Sequence, residues 1–160
     1  MVRTPREAGS TMKEITRRQA LAIGGSAIAV AALGIRPAFA ANDHQAVIDK
    51  FTSGKSPKEG KVKLELPQIA ENGNTVPISV SVESPMTKND YVKRVLVVAD
   101  ANPRSGVATF NFTPSSGVAE ASTRMRLAQT QNVIAVAEMS DGSFYMVKRQ
   151  VKVTIGGCGG

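Results

Sequence analysis

From Lys61 onward the chain alternates apolar and polar residues with a period of two. Val62, Leu64 and Leu66 alternate with Lys61, Lys63 and Glu65. Val76, Ile78, Val80 and Val82 alternate with Thr75, Pro77, Ser79 and Ser81, and Tyr145, Val147, Val151 and Val153 with Lys148, Gln150, Lys152 and Thr154. Successive side chains of a strand point to opposite faces, so this pattern gives each strand one buried and one wet face. Four further strands are predicted at Tyr91–Ala99, Val107–Phe112, Val118–Leu127 and Gln131–Met139. Turn-formers separate them: Glu71-Asn72-Gly73-Asn74, Ser84-Pro85, Asn102-Pro103 and Pro114-Ser115-Ser116-Gly117. Ser140-Asp141-Gly142-Ser143 is predicted to close a hairpin.

About seven short strands with regular turns predict an all-β fold, an antiparallel β-sandwich of immunoglobulin type. The spacing of Ala46, Val47, Ile48 and Phe51 predicts a short helix over Asp43–Phe51, tied to the sandwich by a linker over Ser53–Gly60. Pro77 cannot donate to a ladder, which predicts an edge strand or a bulge there. Val95-Leu96-Val97-Val98-Ala99 is apolar on both faces. It either lies beneath another element or presents its outer face as an interface.

The N-terminal segment reads as a leader. Thr16-Arg17-Arg18-Gln19-Ala20-Leu21 sets twin arginines before the apolar stretch from Ala20 to Ile35, which falls short of the roughly 20 residues of a membrane span. Ala38-Phe39-Ala40 then supplies an A-x-A cleavage site. The segment resembles a twin-arginine (Tat) export signal, with Ala20 where the pattern usually has Phe. The expected organisation is a signal peptide at 1–40, a sandwich with its helix at 41–155 and a flexible arm at 156–160, in a periplasmic protein without stable membrane association after cleavage. The leader holds six Lys or Arg and two acids, so +4 of the formal +7 leaves with it and +3 remains on residues 41–160. With no clustered basic stripe or stacking aromatics, that charge suits small anions rather than nucleic acid.

Catalytic inventories come up nearly empty. His44 is the only histidine. It reads as a solvated residue of the helix's first turn, and it would serve copper or nickel only as the third residue of a chain cut after Ala41. A closed zinc site lacks ligands. Met86, Met125, Met139 and Met146 are spread over separate elements and read as packing rather than soft-metal ligands. Glu65, Glu83, Glu120, Asp100 and Asp141 form no recognisable pair, and the glycines match no phosphate loop or dinucleotide fingerprint. No cofactor, metal site or catalytic constellation is expected.

What remains is one thiol. The sequence closes Gly156-Gly157-Cys158-Gly159-Gly160, and Cys158 is its only cysteine. An odd cysteine in an exported chain points to intermolecular pairing or a free reactive thiol. Glycines on both sides remove the Cβ atoms that would restrict and crowd a stalk. A free thiol has a pKa of about 8.5 and only its thiolate is a good nucleophile, so an unactivated tail makes a covalent handle rather than an enzyme. Lys148, Arg149 and Lys152 either attract an anionic group on the sulfur, if they lie at the root of the stalk, or form a solvated strand face.

The terminal Gly-Gly-Cys-Gly-Gly, the twin-arginine leader and the β-rich body resemble the SoxY family, the sulfur-carrier subunits of the bacterial Sox thiosulfate-oxidation system. The stretches Glu71–Pro77 and Ala137–Tyr145 add to the resemblance. It implies that Cys158 holds sulfur covalently. A c-type cytochrome would join thiosulfate to it as an S-thiosulfonate, a hydrolase would release sulfate and leave a persulfide, and in some organisms a sulfur dehydrogenase would oxidise that sulfur. It also implies a heterodimer with a SoxZ-type subunit, for which Val95–Ala99 is a candidate interface. Gly156, Gly157, Gly159 and Gly160 would form the arm that lets one thiol enter several enzymes. Two other classes remain at this stage. A ubiquitin-like carrier with a terminal thiocarboxylate fits poorly with the export signal, the internal cysteine and the lack of a sizeable helix after Lys61. A secreted structural sandwich would use Cys158 for an intermolecular disulfide.

Overall fold

The computed structural model describes residues 43–157; the leader read at 1–40 and Cys158, Gly159 and Gly160 lie outside the described residues. Two sheets pack face to face. The larger runs β1 (Lys58–Glu59), β9 (Phe144–Ile155), β8 (Gln131–Met139), β5 (Val92–Ala99) and β6 (Gly106–Asn111), and β3 (Ile69–Asn72) also joins β9. The smaller runs β2 (Val62–Glu65), β4 (Val76–Val82) and β7 (Ala119–Met125). The chain is thus the expected immunoglobulin-like sandwich.

Period-two patterning builds its centre. Val62 and Leu64 of β2, with Val76, Ile78, Val80 and Val82 of β4, point inward against Val95, Val97 and Ala99 of β5 and Val133, Ala135 and Ala137 of β8. Each such aliphatic side chain contributes on the order of 1.5–3 kcal/mol when fully buried rather than exposed, and less for alanine. Met86, Met125 and Met139 fill the same core, in keeping with a packing role, and Met146 packs half-buried on the sheet's other face.

That other face explains the two-sided strand. Leu96 and Val98 of β5, Ile134 and Val136 of β8 and Phe144 of β9 lie under α1 (His44–Thr52), which contributes Ile48 and Phe51. The Phe51 and Phe144 rings meet edge to face with centroids 6.1 Å apart, and the Arg94 guanidinium lies 4.4 Å from the Phe51 centroid. Val98 is wholly buried. The candidate interface at Val95–Ala99 is therefore corrected: the helix of the same chain covers it. Ala46, expected on the buried helical face, is exposed.

Among the described residues, nine strands stand where seven were expected. The linker holds β1, whose Lys58 and Glu59 pair in parallel with Tyr145 and Met146. The expected turn at 71–74 is in part β3, paired in parallel with the last residues of β9 through Ala70↔Val153 and Asn72↔Ile155. Both strands are short and mostly exposed, so neither carries an apolar alternation. β4 is the middle strand of its sheet, yet its pairing with β2 stops at Ser79↔Glu65, so Pro77 lies where only β7 flanks it. The β8–β9 turn forms as expected: Met139 N–H donates to Ser143 O at 2.9 Å, and Gly142 takes a φ of 77°.

Candidate functional site

The last described residues, those leading to Cys158, are held by backbone alone. Gly73 N–H donates to Ile155 O at 2.7 Å, Leu127 N–H to Gly73 O at 2.8 Å and Gly157 N–H to Leu127 O at 2.9 Å. The end of β9, the turn after β3 and the segment after β7 thus close on one another through three peptide groups. Close approach explains the glycines. A Cβ on Gly73 would stand 2.2 Å from Leu127 O, one on Gly156 2.1 Å from Ala128 O and one on Gly157 2.6 Å from Gly73 O. None of the three has a positive φ, so crowding rather than backbone angle demands the missing side chain. Gly73 and Gly157 are buried.

At the root of the arm expected over 156–160, Gly157 is held by the clamp and Gly156 lies against Ala128 O; Cys158, Gly159 and Gly160 lie outside the described residues. Side chains brace the clamp from below. Asn102, 4% exposed, donates from Nδ2 to Arg126 O at 2.8 Å, while its Oδ1 accepts Ala128 N–H at 3.0 Å and Gln131 Nε2–H at 2.7 Å. Each polar atom of this buried amide is satisfied, which stiffens the 126–128 segment. Thr130 Oγ1 accepts Val153 N–H at 3.0 Å, and Lys152 N–H donates to Gln68 O at 2.9 Å.

The basic residues proposed for the stalk's root divide. Lys148 and Arg149 pair with Ile134 and Val133 in the middle of β9. At about 3.3 Å per residue, Lys148 is roughly 26 Å of strand away from Gly156. Lys152 sits nearer, opposite Ile69 of β3. Arg126, which precedes Leu127 in the chain, instead adjoins the clamp, and with Arg104 and Arg124 it lines a recess next to Asn102. Sequence reasoning missed them, together with Gly73, which read only as a turn glycine, and Asn102, which read only as a turn-former.

The remaining candidates are dispersed. His44 opens α1, half-buried. Asp100 accepts Asn132 N–H at 2.9 Å and Nδ2–H at 2.7 Å, a strand-end contact. Glu65, Glu83, Glu120 and Asp141 are exposed. The Ser143 hydroxyl, then its backbone N–H, hold the Asp141 carboxyl below the usual carboxylate range. Glu83 is lowered and Lys63 raised by their mutual hydrogen bond and charge at 2.8 Å. Among the described residues, no group of three or more His, Cys, Asp or Glu is placed to hold a metal.

The model of the family "Sulfur oxidation protein SoxY" matches residues 48–158, from within α1 to the cysteine. The chain belongs to the SoxY family. The sulfur carrier protein SoxY from Chlorobium limicola f thiosulfatophilum is 31% identical with a TM-score of 0.61, over 72% of this chain and 96% of that one. The superoxide reductase (neelaredoxin) of Ignicoccus hospitalis is similar at 14% identity and a TM-score of 0.53, over 59% of this chain and 80% of that one. That of Nanoarchaeum equitans reaches 12% and 0.51, over 60% of this chain and all of that one. At such identities the two reductases share the fold alone. No curated protein sequence matches. Membership of the SoxY family places the chain in sulfur oxidation and bears out the resemblance read from its tail.

Proposed function

We propose that this chain is the covalent sulfur carrier of thiosulfate oxidation, with Cys158 as the attachment site and no catalytic constellation of its own. The observation that carries the reading is the family match ending at Cys158, the only cysteine, one residue beyond a backbone clamp that fixes the root of the arm. The clamp supports a division of labour: the sandwich fixes where the arm begins, and separate enzymes bring the electrophile and the acid–base groups.

In this cycle the Cys158 thiolate and thiosulfate lose two electrons to a c-type cytochrome, and a sulfur–sulfur bond forms to give cysteine S-thiosulfonate. Water then attacks the terminal sulfonate in a hydrolase. Sulfate leaves with two protons released, and a persulfide remains on Cys158. A sulfur dehydrogenase, in hosts that have one, oxidises that outer sulfur for a second hydrolysis. The chain works as a heterodimer with a SoxZ-type subunit, in the periplasm, after export by the twin-arginine route read from its leader.

Cys158→Ser is the direct test. The variant is expected to fold with an unchanged thermal midpoint and to abolish thiosulfate-dependent electron transfer in the reconstituted system. Retained electron transfer refutes the attachment role.

A further inference from the structure

The loop entering β6 and the end of β7 enclose a recess of about 300 Å³ lined by Arg104, Arg124 and Arg126, with Asn102 and Met125. Among the described residues the ion pairs are Lys63–Glu83, Lys93–Glu138 and Arg94–Glu138, so none of the three arginines has a carboxylate within 4.0 Å. Like charges gathered without a counter-charge repel, and an anion between them relieves that repulsion. Guanidinium groups present planar forks of donors suited to oxyanions. The frame is built rather than loose. Asn102 is buried, and its amide is fully engaged with Arg126 O, Ala128 N–H and Gln131. Ser105, also buried, donates to Asp43 Oδ1 at 2.9 Å and ties the loop entering β6 to the start of α1.

The recess is joined to the clamp along the chain. Arg126 precedes Leu127, whose carbonyl receives Gly157 N–H, and Gly157 precedes Cys158. We propose that the Arg104–Arg124–Arg126 recess is a binding site for sulfur oxyanions, the chemistry shared by free thiosulfate and by a sulfonate carried on the arm. The free-anion form stands on the arginines alone; the tethered form rests on the carrier reading above.

The test titrates the purified full chain, thiol free, with thiosulfate and with sulfate at low ionic strength by calorimetry. Saturable binding is expected, weakened about tenfold or more in R124Q/R126Q, the loss of charge-assisted hydrogen bonds to one anion. Both side chains are exposed, and Asn102 holds the Arg126 carbonyl rather than its guanidinium, so this variant keeps the clamp. K148Q/R149Q removes the same charge from the middle of β9 and is expected to bind as the parent does. No saturable binding, or equal weakening in both variants, overturns the proposal.

Tetrathionate then separates the two sources: the Cys158 thiolate attacks an inner sulfur, thiosulfate leaves and an S-thiosulfonate remains. Loss of free-anion binding on loading, absent in Cys158→Ser treated alike, assigns the site to the carried group. Unchanged binding assigns it to the free anion. Failure of the carrier reading leaves the titration of the thiol form untouched, so the two failures are distinguishable.

Discussion

The centre of the sandwich and the root of the arm solve opposite packing problems. In the centre, Val76, Val80, Val95, Val97 and Val133 exclude water by filling space with side chains, and any of several aliphatic residues of similar volume would serve. At the root, Gly73, Gly156 and Gly157 hold three chain segments together by having no side chain, and the contacts are peptide group to peptide group. The centre is tolerant in identity and strict in volume. The root is strict in identity, because a single added carbon meets a backbone oxygen. The proposed carrier role would use both: a body stable enough to hold a shape, and an arm whose starting point is fixed.

Substitutions that shrink the centre or crowd the root separate these roles. Ile78→Ala, in the buried face of β4, is expected to cost about 2–5 kcal/mol and lower the thermal midpoint, while sulfur loading of the still-folded fraction stays at the parent rate. Gly73→Ala is expected to cost about 1–3 kcal/mol through overpacking. Unlike the core variant, it should also remove the hydrogen-exchange protection of the Gly157 amide and slow loading of Cys158 in the reconstituted system. Equal loading by both variants would erase the distinction between body and root. Asn102→Ala leaves Arg126 O and Ala128 N–H without their buried partner, at about 1–3 kcal/mol, and exchange should quicken from 126 to 128 before it does in β5.

The smallest effect lies far from both regions, in the β8–β9 turn. The Asp141 carboxyl is held below its ordinary range by the Ser143 hydroxyl and N–H. A group whose folded pKa is depressed contributes stability above its unfolded pKa and loses it as pH falls through the folded value. Stability should therefore decline slightly on acidification below the ordinary carboxylate range, and Ser143→Ala should flatten that part of a pH–denaturation series. The site being solvated, a decline as steep in the variant as in the parent would assign it to other carboxylates.

Much of the sandwich was legible because burial on one face leaves a period-two record. β2, β4 and β9 carry it, while β5 and β8, buried on both faces, stood out as continuous apolar runs, and the Ser140–Ser143 turn announces its hairpin. β1 and β3 left no such record: they are mostly exposed, and their pairing is supplied by the long β9 rather than by their own residues. The two-sided Val95–Ala99 was ambiguous because a helix and a partner subunit bury the same atoms; the position of α1 decided it. Cys158 stood out by its singularity. Its setting did not, since Gly73, Leu127 and Gly157 are far apart in sequence and meet only through the fold. Gly156 and Gly157 beside a terminal cysteine read equally as freedom or as close packing, and only the neighbouring Leu127 and Ala128 carbonyls distinguish the two.

The central claim is that sulfur resides on Cys158. Mass analysis of the C-terminal peptide from protein isolated from thiosulfate-grown cells of its host reads it directly. The account predicts a peptide carrying a thiosulfonate or one or more sulfane sulfurs, which a thiol reductant returns to the free cysteine. A peptide found only as unmodified thiol or as a disulfide-linked dimer would contradict it.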